Sequence, residues 1–126
     1  MNRNFEEQHK VRIKNNTSTK HEIIKTVIVK LIKEKYKRNS NWINIYSEWR
    51  VNDGKICDIY LENLKTNEAY AFEVQKNVSK KWAEETKRIY DKWEKYLFTT
   101  DWILVEEDKI SDNIKKMEKQ IKEFIP

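Results

Sequence analysis

Apolar residues along this chain recur with two periods, and the switches between them mark out the elements. Residues 1 to about 16 are polar and weakly patterned, with Val11 and Ile13 alternating as in a short edge strand or a loose arm. Past Asn15-Asn16-Thr17-Ser18, residues Ile23, Ile24, Val27, Ile28, Leu31 and Ile32 return at helical spacing. Lys25, Lys30, Lys33 and Glu34 take the opposite face. Thr19 followed by Glu22 has the form of a capping box, so a first helix is expected over about 19–37. Arg38-Asn39-Ser40-Asn41 breaks it.

From Trp42 to Val51 the period becomes two. Ile43, Ile45, Ser47, Trp49 and Val51 share one face, and Trp42, Asn44, Tyr46, Glu48 and Arg50 the other. Asp53-Gly54 is a hairpin signal, because such a turn needs positive φ. A second strand follows at about 55–62, a polar connection at 63–68 and a third strand at about 69–76. Asn77-Val78-Ser79 offers a cap for a helix over about 79–98, with Trp82, Thr86, Ile89, Trp93, Tyr96 and Leu97 as its stripe. The run Trp102-Ile103-Leu104-Val105 reads as a strand buried on both faces, parallel to the third through a right-handed crossover. Ser111 or Asp112 then caps a last helix with Ile114, Met117, Ile121, Phe124 and Ile125 inward.

The order α-β-β-β-α-β-α predicts an α/β fold, a four-stranded mixed sheet flanked by helices. No repeat, low-complexity tract or linker divides residues 1–126, so one domain is expected, with 1–16 as its arm.

Composition sharpens this picture. Charged residues make up 37% of the 126, yet five Trp, six Tyr and four Phe argue against a disordered chain. One Gly and one Pro leave little besides regular structure and short turns. The net charge of +5 suits a nucleic-acid partner and equally a lysine-rich solvated surface. The single cysteine, Cys57, precludes an internal disulfide and favours a reducing compartment. With two His and no CxxC, a zinc site is not expected. Met1-Asn2-Arg3-Asn4-Phe5-Glu6-Glu7 lacks a secretory apolar region, and no apolar run approaches membrane-spanning length. A cytoplasmic protein without a membrane partner is the expectation.

The chemically informative segments are Ile56-Cys57-Asp58-Ile59-Tyr60-Leu61 and Ala71-Phe72-Glu73-Val74-Gln75-Lys76. Each is an apolar strand with an acid near its middle. A carboxylate there is costly to bury unless it is paired or bound to a cation. By alternation Asp58 shares a face with Ile56 and Tyr60, and Glu73 with Ala71 and Gln75. If those faces match, the two carboxylates converge, repel one another and are relieved by Mg²⁺ or Mn²⁺.

This arrangement resembles the PD-(D/E)xK nuclease superfamily over about residues 19–107. Cys57-Asp58 stands where that family has Pro-Asp, and Glu73-Val74-Gln75 where it has Asp/Glu-x-Lys, making this a Glu-x-Gln variant. The resemblance implies a restriction-endonuclease-like fold and metal-dependent hydrolysis of DNA. It implies that Asp58 and Glu73 hold the metal with the Val74 carbonyl, and that Gln75 orients the attacking water or contacts the scissile phosphate. Glu22 matches an acid that many members place on the first helix. Gln75 lacks the family's positive charge. Lys76 is adjacent but on the other face, leaving Lys80, Lys81 or Lys87 to bring a cation and, with Lys76, to contact nucleic acid. Members often dimerise to cut two strands, so a homodimer is compatible.

Plainer readings accompany each residue. Asp58 can pair with Arg50 or a lysine, Gln75 can be a strand-end polar residue, and the capping box alone explains Glu22. His21 reads as a solvated helix-start residue, and Glu48 as a weaker acidic candidate. The tryptophan stripe of the second helix reads as core. Two alternatives to a nuclease remain: a catalytically inactive nucleic-acid-binding module on the same fold, and a structural α/β interaction protein with ion-paired carboxylates.

Overall fold

The computed structural model describes residues 19–51 and 54–126. In chain order these form α1 (Thr19–Lys35), a 3-10 turn (Lys37–Trp42), β1 (Ile43–Arg50), β2 (Ile56–Asn63), β3 (Glu68–Gln75), α2 (Lys80–Asp91), β4 (Thr99–Glu106), a short 3-10 turn (Glu107–Lys109) and α3 (Ile114–Lys122). The sheet runs β1-β2-β3-β4; β1, β2 and β3 form an antiparallel meander, and β4 joins β3 in parallel after the α2 crossover. The expected α/β architecture, a four-stranded mixed sheet flanked by helices, is therefore present. Val11, Ile13, the Asn15–Ser18 punctuation and Asp53 lie outside the described residues.

Two cores sandwich the sheet. On one face, Ile24, Ile28 and Ile32 of α1 and Met117 and Ile121 of α3 pack with Ile45, Ile59, Leu61, Phe72, Val74 and Val105. On the other, Tyr90 and Trp93 cover Cys57, Tyr60, Ala69 and Ala71. Small alanines on β3 let the aromatic rings come close to the sheet. The Tyr90 ring stacks on Trp102 at 5.1 Å and meets Trp93 edge-on at 5.7 Å, so its position is set from two sides.

Local chemistry accounts for the turns. Asn63 Oδ1 accepts from the backbone N–H groups of Lys65 and Thr66, at 3.0 and 3.2 Å, and Asn67 takes φ 57° to close the β2–β3 connection. Gly54 adopts φ 74°, the conformation the hairpin signal asked for. The Ser79 side chain caps α2 by accepting from Trp82 N–H at 3.0 Å.

Several sequence expectations need correction. The second helix stops at Asp91, not near 98. β4 must begin at Thr99 to stand opposite Glu68, so the chain reverses in the preceding residues, through a bridge between Lys95 and Phe98 with Leu97 at φ 63°. Tyr96 and Leu97 thereby leave the helical stripe for solvent, at 88% and 73% exposure. β4 is an edge strand in which Val105 alone is buried, not a strand covered on both faces. The last helix is capped by Asn113, whose Oδ1 accepts from Lys116 N–H, rather than by Ser111 or Asp112. Lys25, assigned by periodicity to the outward face, is fully buried.

Candidate functional site

The site originates in a shared irregularity of β1 and β2. Regular alternation would put Tyr46 and Trp49, and likewise Cys57 and Tyr60, on opposite faces, since each pair is an odd number of residues apart. Instead all four lie on the α2 side, while Ile45, Ile59 and Leu61 lie on the α1 side. Glu48 has φ 55°, and the β1–β2 register passes from Ser47↔Ile59 to Trp49↔Cys57 across the Glu48 and Asp58 positions. This bend turns both acids towards α1. The expectation that Asp58 shares a face with Tyr60 is overturned, because a local break in pleating outweighs period-two parity.

Asp58 meets a polar strip on α1 made by His21, Glu22 and Lys25. Its Oδ2 accepts from the Val74 backbone N–H at 2.7 Å, and its Oδ1 lies 3.3 Å from His21 Nε2. The same Nε2 is 3.0 Å from the Val74 carbonyl oxygen. His21 Nδ1 is 3.5 Å from Glu22 Oε1, and Glu22 Oε2 is 3.6 Å from Lys25 Nζ. Lys25 also forms a close ion pair with Glu48. Hydrogen bonding to Asp58 raises the His21 pKa above its ordinary value, against the lowering effect of burial. His21 is thus a buried member of the site, not a solvated helix-start residue.

Glu73 keeps normal alternation. Its neighbours Phe72 and Val74 face α1, so its own side chain emerges towards α2. There Tyr90 Oη donates to Glu73 Oε2 at 2.5 Å, and Lys55 Nζ stands 3.8 Å from the same oxygen. Burial raises the Tyr90 pKa strongly and the Glu73 charge adds to it, so the phenol stays protonated and donates. Asp58 and Glu73 therefore do not share one sheet face. They flank the end of the β2–β3 ladder, whose pairing stops at Ile59↔Phe72, and Val74 N–H bonds the Asp58 side chain beyond that point. Both carboxylates nevertheless raise the pKa of the same groups, the Cys57 thiol and the Tyr90 phenol, after burial as the leading cause.

Gln75 ends β3, half-buried, in register with Glu106. Lys76, Lys80, Lys81 and Lys87 are exposed, and Lys87 pairs with Asp91 at 2.8 Å along α2. Four residues in contact with the carboxylates or their partners were not assigned there by sequence reasoning: His21, Lys25, Lys55 and Tyr90; Glu48, the weaker acidic candidate, joins them through Lys25. For His21 and Lys25 a signal existed, since residues four apart share one side of a helix and flank Glu22. For Tyr90 it was a hydroxyl beside two tryptophans.

Among the described residues, no group of three or more His, Cys, Asp or Glu side chains is arranged to hold a metal ion. By donor type alone, the carboxylates of Asp58 and Glu73 and the Val74 carbonyl are of the kind Mg²⁺ or Mn²⁺ takes, with Asp58 reaching towards α1 and Glu73 towards α2. Such ions are commonly held by one or two carboxylates, with water and substrate phosphate completing the shell. His21 Nε2 stands between Asp58 Oδ1 and the Val74 carbonyl, the space assigned to the ion from sequence, so His21 must withdraw for both oxygens to bind it. No helix among the described residues is long and apolar enough to cross a membrane.

No protein-family model, no curated protein and no solved structure matches this chain.

Proposed function

We propose that this protein is a divalent-metal-dependent deoxyribonuclease of the restriction-endonuclease-like type, with Asp58 and Glu73 at its centre. One observation supports the reading: two buried carboxylates, Asp58 and Glu73, stand on adjacent strands at the end of their ladder. A stability requirement alone would favour apolar residues at such positions, because burying charge is expensive.

In this account Asp58 and Glu73 would hold Mg²⁺ or Mn²⁺ with help from the Val74 carbonyl. Bound there, such an ion would supply a water of lowered pKa and neutralise charge on a phosphodiester. Val74 N–H orients the Asp58 carboxylate and Tyr90 orients that of Glu73. Gln75, half-buried at the end of β3, positions the attacking water or contacts the scissile phosphate. Glu22 acts through its contacts with His21 and Lys25. Lys76, Lys80 and Lys81 contact the DNA backbone.

Titration with Mn²⁺, followed by the loss of the free-ion paramagnetic signal, tests the proposed ligands. Asp58→Asn and Glu73→Gln should each weaken binding at least tenfold, about 1.4 kcal/mol, with an unchanged circular-dichroism spectrum. Equal binding by all three proteins contradicts the assignment.

A second reading is an inactive nucleic-acid-binding module on the same fold. It is favoured by Gln75 in place of a cation and by the position of His21 between Asp58 and Val74. It predicts DNA binding that weakens steeply with salt and no cleavage.

A further inference from the structure

We propose that Lys55 supplies the cation that Gln75 lacks, contacting the non-bridging oxygens of the scissile phosphate beside Glu73. This rests on the nuclease reading above. Phosphoryl chemistry develops negative charge on those oxygens, and a positioned cation stabilises it. Of the lysines expected from sequence to serve, Lys80 and Lys81 are exposed on α2, and Lys87 is paired with Asp91. Lys25 is fully buried between Glu22 and Glu48, so its charge is already neutralised there.

Lys55 differs on three counts. Its Nζ is 3.8 Å from Glu73 Oε2, a spacing that leaves the ammonium able to engage another oxygen. Its side chain is 19% exposed, which excludes most water yet leaves one side accessible. Its ammonium also lies 5.1 Å from the Trp82 ring centroid, so α2 restrains it by a cation–π contact. The placement is local to the fold: Val51 N–H donates to Lys55 O at 2.7 Å, closing the β1–β2 hairpin and fixing where Lys55 starts.

Single-turnover cleavage of duplex DNA in Mg²⁺ tests this, alongside DNA affinity measured in Ca²⁺. Lys55→Ala should slow cleavage by about 10²–10³-fold, the loss typical of removing one charge-stabilising group. DNA affinity should fall less than about tenfold, as for one phosphate contact. Lys55→Arg should recover part of the rate. Lys55→Met, which keeps the packing on Trp82, should behave like alanine, and it replaces alanine if that variant unfolds. A merely structural lysine would move thermal stability without separating rate from affinity. Wild-type cleavage matched by the Lys55→Ala and Lys55→Met variants overturns the role of Lys55 and leaves the nuclease reading intact. A folded wild-type protein that binds DNA but never cleaves it overturns both.

Discussion

His21 holds its proton more tightly in the folded protein than in the unfolded chain, because the Asp58 carboxylate accepts from its ring. A raised folded pKa has a definite sign. The stabilisation is fully present below the unfolded value near 6.5 and is lost as pH rises through the folded value. Urea unfolding midpoints should therefore fall as pH increases from the mid-6 range upward, and His21→Gln should flatten that slope; an unchanged slope contradicts the linkage. Tyr90→Phe leaves Glu73 without its phenolic donor. It should cost about 1.5–3 kcal/mol by chemical denaturation, as for a hydrogen bond to a charged group. At this scale the sequence was partly legible. Asp58 and Glu73 announced themselves as acids in apolar strands. His21 and Tyr90 did not, because their contacts reach across 53 and 17 residues of chain to β3.

Whole elements were easier to place than the faces they present. α1 was recognisable from its six-residue apolar stripe, yet Lys25 sits inside because the bend at Glu48 brings a carboxylate to meet it. Lys25→Ala should destabilise by about 3–5 kcal/mol, since it strands buried acids rather than removing a surface charge. The end of α2 was illegible for a different reason. Trp93, Tyr96 and Leu97 continue the helical period, but the demand that Thr99 stand opposite Glu68 overrides it. Leu97 then occupies left-handed backbone at φ 63° while 73% exposed. That conformation costs a β-carbon residue roughly 1–2 kcal/mol, and glycine's extra chain entropy returns about 0.5–1 of it. Leu97→Gly should thus raise stability by up to about 1 kcal/mol in urea titrations; a loss larger than that would mean the leucine side chain is held.

For the molecule as a whole, topology was the most readable feature. The order of helical and strand periods, with a crossover helix before the last strand, anticipates the β1-β2-β3-β4 sheet with β4 parallel to β3. The exposed lysines of α2 and the net charge of +5 predict DNA affinity that falls linearly in log–log form with salt. The joint substitution of Lys80 and Lys81 by alanine should lower the magnitude of that slope by about 2. What periodicity did not convey is the coupled bend of β1 and β2, which places Asp58 among α1 side chains while Glu73 faces α2. The proposed nuclease chemistry requires these two acids nevertheless to serve one reaction. Its most direct test is cleavage of duplex, single-stranded, flap and four-way-junction DNA in Mg²⁺ and in Mn²⁺, with a Glu73→Ala protein beside the wild type. The account predicts metal-dependent cleavage of at least one substrate, abolished in the variant while its fold persists; a folded wild type that cuts none of them, or a variant that cuts equally well, contradicts it.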